Sequence, residues 1–131
     1  MLAFSNNAFA QMIGHAYDGY PLEACGLLVG RGGHVDRFVA CTNEAASARI
    51  YAIPGRELLH AERAAEHDGL EIIGVFHSHT HSEPYPSPTD VDQAPDPEWH
   101  YVIVSLKREA PETRCYRIDG GMVSEERVVV G

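Results

Sequence analysis

The sequence has no cluster of basic residues and no long apolar run, and each absence excludes a class of partner. Ten Lys and Arg residues stand against nineteen Asp and Glu residues, and the net charge is −9. The few basic residues are scattered, so we expect no nucleic-acid partner and no binding to an anionic membrane surface. No apolar run approaches the roughly 20 residues needed to span a bilayer. We therefore expect neither nucleic acid nor membrane among the partners.

The sequence also has few cysteines, and they form no recognisable framework. Cys25, Cys41 and Cys115 are odd in number and widely spaced, so they predict neither a disulfide pattern nor a CxxC motif. We expect each to be a small buried residue of a reducing compartment. The first residues lack a basic segment followed by an apolar one, so no signal peptide is predicted. These features predict a cytoplasmic protein.

Length and patterning predict one α/β domain over residues 1–131, in which a central β-sheet is flanked by two main helices. The first helix is capped near Ser5 and carries an apolar face, and the second begins after Pro54 and ends near His67. A brief helix is expected after Asp90. Strands are predicted, in chain order, over residues 21–30, 35–40, a short stretch around Tyr51, and residues 70–77, 100–106, 114–118 and 122–129. Of the eight histidines, His100 is interpreted as a surface or packing residue.

The most informative stretch begins with an apolar run over residues 72–76, which predicts a buried strand. That strand leads directly into His77 and His79. Side chains two positions apart on a strand project from the same face. The sequence therefore predicts two imidazoles side by side.

A proline-rich loop follows, and Ser87 and Pro88 are typical of a helix start. Serine suits the N-cap and proline the first helical position. A helix that starts there can return the carboxylate of Asp90 towards the two imidazoles. Two histidines and one aspartate would leave a divalent metal with an open position, which is the plan of a catalytic zinc site.

Each part of this pattern has an ordinary explanation when it is taken alone. Two histidines on a strand are common, and Ser87 to Asp90 could be no more than a capped helix start. Their joint spacing favours the metal site. His81 continues the same alternation and could also reach the metal. Pro84 and Pro86 indicate that regular strand pairing has ended, which favours a loop or pocket-rim position for His81.

Glu23 stands before the apolar strand that is expected to lie beside the central one. A carboxylate at the mouth of a buried strand is costly unless it is solvated, paired or functional. If Glu23 faces the metal, it can act as a general base that takes a proton from the attacking water and passes it to the leaving amine. Ser87 would then donate a hydrogen bond to the oxyanion of the tetrahedral intermediate. A solvated strand end is the alternative for Glu23.

Glu23 in Pro-x-Glu-x-Cys-Gly-Leu-Leu-x-Gly, with His77-x-His79, seven intervening residues and Ser87-x-x-Asp90, resembles the signature of the JAMM (MPN+) zinc metalloproteases. The resemblance covers essentially the whole chain and implies an MPN/JAB-type domain. It implies that His77, His79 and Asp90 bind Zn²⁺. It also implies that Glu23 is the acid/base and Ser87 the oxyanion donor.

Within that family, the compact size and the sequence of residues 85–91 look most like those of the small bacterial Mec-type members. This implies hydrolysis after the Gly-Gly tail of a small ubiquitin-like or sulfur-carrier protein, with release of cysteine, and a homodimer is possible. Thr80 stands where eukaryotic deubiquitinases usually have proline, which disfavours a polyubiquitin substrate. Two alternatives remain: a JAMM peptidase with another peptide or isopeptide substrate, and a non-catalytic MPN scaffold. Scaffold members characteristically lose one or more of the site residues, all of which are present here.

Overall fold

The computed structural model describes all 131 residues and is built around one eight-stranded mixed sheet. The strands lie in the order β7-β6-β5-β4-β2-β3-β1-β8. In chain order the elements are β1 (Leu2–Phe4), α1 (Asn6–Gly19), β2 (Cys25–Arg31), β3 (His34–Cys41), α2 (Gly55–His67), β4 (Glu71–His79), α3 (Pro88–Asp92), β5 (His100–Ser105), β6 (Glu112–Asp119), β7 (Met122–Glu126) and β8 (Val128–Val130). The predicted α/β class, with two main helices and a short one after the motif, is confirmed.

Strand β4 lies at the centre of this sheet and divides the core into two layers. It pairs antiparallel with β2 and parallel with β5. Phe76 belongs to the apolar cluster that includes the α1 residues, whereas Val75 belongs to the cluster that includes Ala61 of α2. Because side chains alternate along a strand, His77 and His79 share the face of Val75. The predicted histidine pair therefore lies on the α2 side of the sheet.

The two main helices are where the sequence predicts them. Ser5 caps α1, and its Oγ accepts a hydrogen bond from the Ala8 N–H at 3.1 Å. The buried face of α1 includes Met12 and Ala16, and α2 buries Ala61 and Ala65. None of the three helices is long and apolar enough to cross a membrane.

Three strand predictions need correction. Strand β1 is absent from the prediction because three residues carry no periodic signal; it pairs in parallel with β3 and β8. The expected strand near Tyr51 is wrong, because the Asn43 side chain replaces a neighbouring strand as the hydrogen-bond partner of the Ile50 and Ala52 backbone. The strand predicted over residues 122–129 is two strands, which break at Arg127, where its carbonyl accepts from the Leu2 N–H.

The three cysteines are free and buried, as predicted, and one of them belongs to a polar cluster on the α1 side of the sheet. Its members are His100, Cys115 and Glu126, from three adjacent strands, and their ligand-type atoms all lie within 4.8 Å of one another. His100 Nδ1 contacts Glu126 Oε1, and Cys115 Sγ donates to the same oxygen at 3.2 Å. Burial acts to raise the pKa of Glu126, but its hydrogen bonds with His100, Cys115 and the N-terminal amine together outweigh burial and lower that pKa. His100 is therefore a buried packing residue with a specific carboxylate partner.

The central strand depends on a close approach at Gly74. This residue is paired with Leu28 of β2 and with His100 of β5. A Cβ atom at position 74 would lie 2.3 Å from the carbonyl oxygen of His100. No side-chain rotation relieves a clash with a backbone atom, so only glycine fits between the neighbouring strands.

We expect Gly74→Ala to lower the free energy of unfolding by about 1–3 kcal/mol or more, because β5 must move away from β4. The matched control is Gly14→Ala on the exposed side of α1, where an added Cβ would meet nothing within 4 Å. That substitution should raise stability by up to about 1 kcal/mol through helix propensity. Urea unfolding of both variants makes the comparison. Wild-type stability in Gly74→Ala would contradict the strand spacing described here.

Candidate metal centre

Three side chains with metal-ligating atoms converge at the end of β4. The Nε2 atoms of His77 and His79 lie 3.1 Å apart. The Oδ2 atom of Asp90 lies 3.1 Å from the first and 3.2 Å from the second. The three side chains are only 3%, 4% and 6% exposed. The structure thus places all three of the predicted ligands in one buried cluster.

Asp90 reaches the cluster because of the local sequence at the start of α3. The Ser87 Oγ accepts a hydrogen bond from the Asp90 N–H at 3.1 Å, and Asp90 Oδ2 accepts from the Ser87 N–H at 2.9 Å. This reciprocal capping box, with Pro88 in the first helical turn, fixes the carboxylate. The same Oδ2 atom that caps the helix faces the two imidazoles.

Both imidazoles are oriented by contacts behind them. His79 Nδ1 lies 2.8 Å from the Glu83 carbonyl oxygen. A carbonyl only accepts hydrogen bonds, so Nδ1 carries the proton and Nε2 keeps a free lone pair. The ring of His77 is stacked on Tyr51, with ring centroids 4.4 Å apart and an interplanar angle of 17°. Tyr51 thus packs the histidine instead of belonging to the predicted strand.

Electrostatics inside the cluster favour a cation. Burial acts to raise the pKa of Asp90, but its contacts with His77 and His79 and the bond from the Ser87 N–H together hold that pKa well below its usual range. Burial lowers the pKa of His77, so this imidazole favours its neutral, metal-binding form. A carboxylate and imidazole nitrogens facing one another at this spacing need a proton or a cation between them.

The spacing of the three atoms fits a metal ion. Bonds of about 2.0–2.1 Å in a tetrahedral site place the ligand atoms roughly 3.3 Å from one another. The three observed separations of 3.1–3.2 Å are close to that value. Two imidazoles and one carboxylate are ligands that divalent transition metals accept, and a four-coordinate ion here keeps one position open.

Glu23 lies beside this cluster because of strand register. Cys25 of β2 is paired with His77, and the Ser78 N–H donates to the Ala24 carbonyl at 2.9 Å, which continues the pairing beyond the strand. The next step of the same antiparallel register puts Glu23 opposite His79. The two side chains line the same cavity.

The carboxyl group of Glu23 is buried without a partner. The residue is 4% exposed, and its Oε1 atom has no hydrogen bond. Burial raises the pKa of Glu23 to about 7; Asp90 adds to that rise and His79 opposes it. A buried polar atom without a partner is rare in proteins. A carboxyl group with a pKa near neutrality suits proton transfer.

The main chain around Glu23 is held by hydrogen bonds to the loop that follows β3. The Glu23 N–H donates to the Ser47 carbonyl at 2.8 Å, and the Asn43 Nδ2 atom donates to the Glu23 carbonyl at 3.0 Å. On the opposite side, the Ser78 Oγ accepts from the Ala24 N–H at 2.8 Å. Asn43 therefore holds the loop in place by hydrogen bonds. Because its partner Glu23 is 20 residues away, no local sequence pattern predicts this role.

A polar cavity of about 450 Å³ opens in front of Glu23 and His79. Its lining residues are Glu23, Ala48, Arg49, His79, His81, Ser82 and Ser87. Ser87 Oγ accepts from a backbone N–H, so its own hydrogen is free to donate into the cavity. His81 is an exposed residue of this cavity and lies outside the three-atom cluster, as its predicted rim position requires. A second, mainly apolar cavity of about 240 Å³ reaches Asp90 from the α2 side and includes Leu58 and Trp99.

Comparisons with known proteins agree on the family of this chain. Residues 5–119 match the family model described as prokaryotic homologs of the JAB domain. The CysO-cysteine peptidase of Mycobacterium tuberculosis is 41% identical over 122 residues, which cover 91% of this chain and 84% of that protein. The desampylase of Pyrococcus furiosus is 27% identical over 109 residues, which cover 83% and 76%. The solution structure of a Desulfitobacterium hafniense protein superposes with a TM-score of 0.89 at 32% identity, covering 100% of this chain and 93% of the other.

The environment of Glu23 predicts a pH dependence of stability in chelator-treated protein. The pKa of about 7 in the folded chain exceeds the ordinary 4.5, so the folded state binds the extra proton. This contribution is fully present below pH 4.5 and is lost as the pH rises through 7. Relative to Glu23→Gln, which cannot ionise, the wild type should lose on the order of 3 kcal/mol between pH 4.5 and pH 8.

Urea unfolding of both proteins at several pH values measures this difference. Glu66→Gln on the exposed side of α2 is the matched control for the loss of one carboxyl group. Parallel stability curves for the wild type and Glu23→Gln would show that Glu23 is solvated in the folded state.

Proposed function

The chain belongs to the family of prokaryotic homologs of the JAB domain, and from that membership we propose that it is a zinc-dependent peptidase. Its substrate, in this proposal, is a small ubiquitin-like or sulfur-carrier protein with a Gly-Gly tail. The enzyme hydrolyses the bond after that tail and releases cysteine. The relatives named as a CysO-cysteine peptidase and a desampylase support this substrate class.

The observation that carries the proposal is the buried, unpartnered Oε1 atom of Glu23 beside three convergent metal-ligating atoms. A protein that only bound partners would gain nothing from a carboxyl group held without a hydrogen bond at the edge of such a cluster. A hydrolase needs this arrangement, because the attacking water must lose a proton where the bond breaks. We assign His77, His79 and Asp90 as the zinc ligands and Glu23 as the acid/base.

When bound, the zinc ion supplies Lewis-acid polarisation and makes water acidic enough to attack near neutral pH. Glu23 accepts a proton from the attacking water on its unpartnered oxygen. It then delivers that proton to the amide nitrogen as the peptide bond breaks, so that the products are a glycine carboxylate and a free amine. Burial, which raises the pKa of Glu23, makes this carboxylate a stronger base for the first proton transfer.

Ser87 completes the set of assigned residues. Its Oγ is anchored by the Asp90 N–H, which fixes the oxygen and leaves the hydroxyl hydrogen free. We propose that this hydrogen is donated to the developing oxyanion of the tetrahedral intermediate. The same capping box would then have two roles, since it also fixes the carboxylate of Asp90.

We propose that residues 1–131 act as one metallopeptidase domain and that the protein works in the cytoplasm, which the three free, buried cysteines support. Assembly as a homodimer stays a prediction from the family resemblance.

The test is mass spectrometry of a sulfur-carrier protein that bears a C-terminal cysteine after Gly-Gly, incubated with zinc-loaded enzyme. We expect loss of one cysteine residue and no loss in the presence of a chelator. Glu23→Gln should retain zinc and lose at least about 100-fold in rate. Ser87→Ala should lose on the order of 100–1,000-fold. Glu125→Gln, an exposed carboxylate on β7, is the control.

The outcomes separate the parts of the proposal. An intact carrier with stoichiometric zinc would discard the substrate. An intact carrier with no zinc bound would favour the scaffold. Full activity in Glu23→Gln would show that the base is another group.

A further inference from the structure

Arg49 lines the polar cavity in front of Glu23 and is the only lysine or arginine among its lining residues. The side chain forms no ion pair and no hydrogen bond with the rest of the chain. Five of the ten basic residues do form ion pairs, namely Arg37, Lys107, Arg108, Arg114 and Arg117. Arg49 thus keeps all five of its N–H donors available beside the proposed site of hydrolysis.

The main chain around Arg49 is fixed relative to Glu23. The Ser47 carbonyl accepts from the Glu23 N–H at 2.8 Å, and the Ser47 Oγ accepts from the Arg49 N–H at 3.0 Å. The Ala48 carbonyl accepts from Thr80 Oγ1 at 3.5 Å, next to the proposed ligand His79. An exposed arginine on a free loop would have no defined relation to the site, whereas Arg49 is two residues from an anchor on the proposed base.

The negative charges around the cavity bear on which substrate it can accept. Glu23 lines the cavity, Asp90 lies behind it, and the chain as a whole carries a net charge of −9. A substrate that ends in a free α-carboxylate brings a further negative charge to these carboxylates, and Arg49 supplies a positive group, apart from the proposed zinc ligands, that can receive it. A guanidinium binds a carboxylate with two parallel hydrogen bonds, which also fixes its orientation.

His81 lies at the rim of the same cavity and adds a second polar group. Its Nδ1 atom contacts Thr80 Oγ1 at 2.9 Å, and its Nε2 atom lies 3.4 Å from the Tyr20 hydroxyl. These contacts hold the ring in place without bringing it into the three-atom cluster. A cavity of about 450 Å³ is near the small end of ligand sites, which run from roughly 300 to 1,000 Å³. The cavity therefore has room for one amino acid together with the end of the glycine tail.

We propose that Arg49 binds the α-carboxylate of the residue that leaves, so that the enzyme selects carriers extended by a single C-terminal amino acid. This inference rests on the proposed peptidase function and restricts its substrates to carriers that end in one added amino acid. An isopeptide-linked lysine within a folded protein presents no carboxylate at this place. The guanidinium therefore favours removal of one terminal residue over cleavage of a protein conjugate.

The test compares two substrates that differ in one group. One carrier ends in Gly-Gly-cysteine with a free carboxylate, and the other ends in the same residues as the cysteine amide. The rate of cleavage of each is measured by mass spectrometry with wild type, Arg49→Gln, Arg49→Lys and the control Arg56→Gln. Arg56 lies in the first turn of α2, forms no ion pair and does not line the cavity.

We expect wild type to cleave the free acid with a kcat/KM about 10–100-fold higher than the amide, since charge-assisted hydrogen bonds contribute about 1.5–3 kcal/mol. Arg49→Gln should lose most of this preference, through a higher KM for the acid, while its cleavage of the amide changes little. Arg49→Lys should restore part of it, because lysine keeps the charge without the paired donors. Arg56→Gln should match wild type.

Equal cleavage of acid and amide by wild type would overturn the inference and leave the peptidase function standing. So would an equal loss on both substrates in Arg49→Gln, which would mean that Arg49 contacts the body of the carrier. If wild type cleaves neither substrate although zinc is bound, the proposed function fails, and this inference fails with it.

Discussion

The structure depends on holding two imidazole nitrogens and a carboxylate oxygen within 3.2 Å of one another in a buried place. Such a cluster is costly without a cation, because desolvated polar atoms are brought together with their lone pairs convergent. Rigid elements of the fold hold the three side chains together despite this cost. His77 and His79 stand on the most enclosed strand of the sheet, and the Ser87–Asp90 capping box returns the carboxylate to them.

The position of Glu23, the proposed acid/base, is likewise fixed by the surrounding backbone. It is opposite His79 because β2 and β4 continue their pairing through Ala24 and Ser78, and its backbone is tied to the loop that follows β3. The carboxyl group is thereby buried without a partner, and its pKa is raised to about 7. The loop that fixes Glu23 also carries Arg49. One short network thus positions the proposed base and the proposed receptor for the substrate's carboxylate.

The parts of the site that follow local rules could be predicted from the sequence. Alternation along β4 predicts the histidine pair, and serine, proline and aspartate at fixed spacing predict the capped helix that returns Asp90. The position of Glu23 depends on antiparallel register between strands about 50 residues apart, so the residues alone left a solvated strand end open. The role of Asn43 is also non-local, since its amide bonds backbone atoms on both sides of a loop. The buried cluster of His100, Cys115 and Glu126 escaped prediction because three strands bring it together.

That second cluster makes the central claim directly testable, because it contains sulfur and the proposed zinc site does not. The measurement is zinc K-edge X-ray absorption on protein loaded with one equivalent of zinc. A metal bound by His77, His79 and Asp90 should show only nitrogen and oxygen neighbours at about 2.0–2.2 Å, including two imidazoles. Asp90→Ala should abolish this spectrum, whereas Asp92→Ala, on the exposed side of α3, should preserve it. A sulfur neighbour at about 2.3 Å would mean that a cysteine binds the ion and would contradict the account.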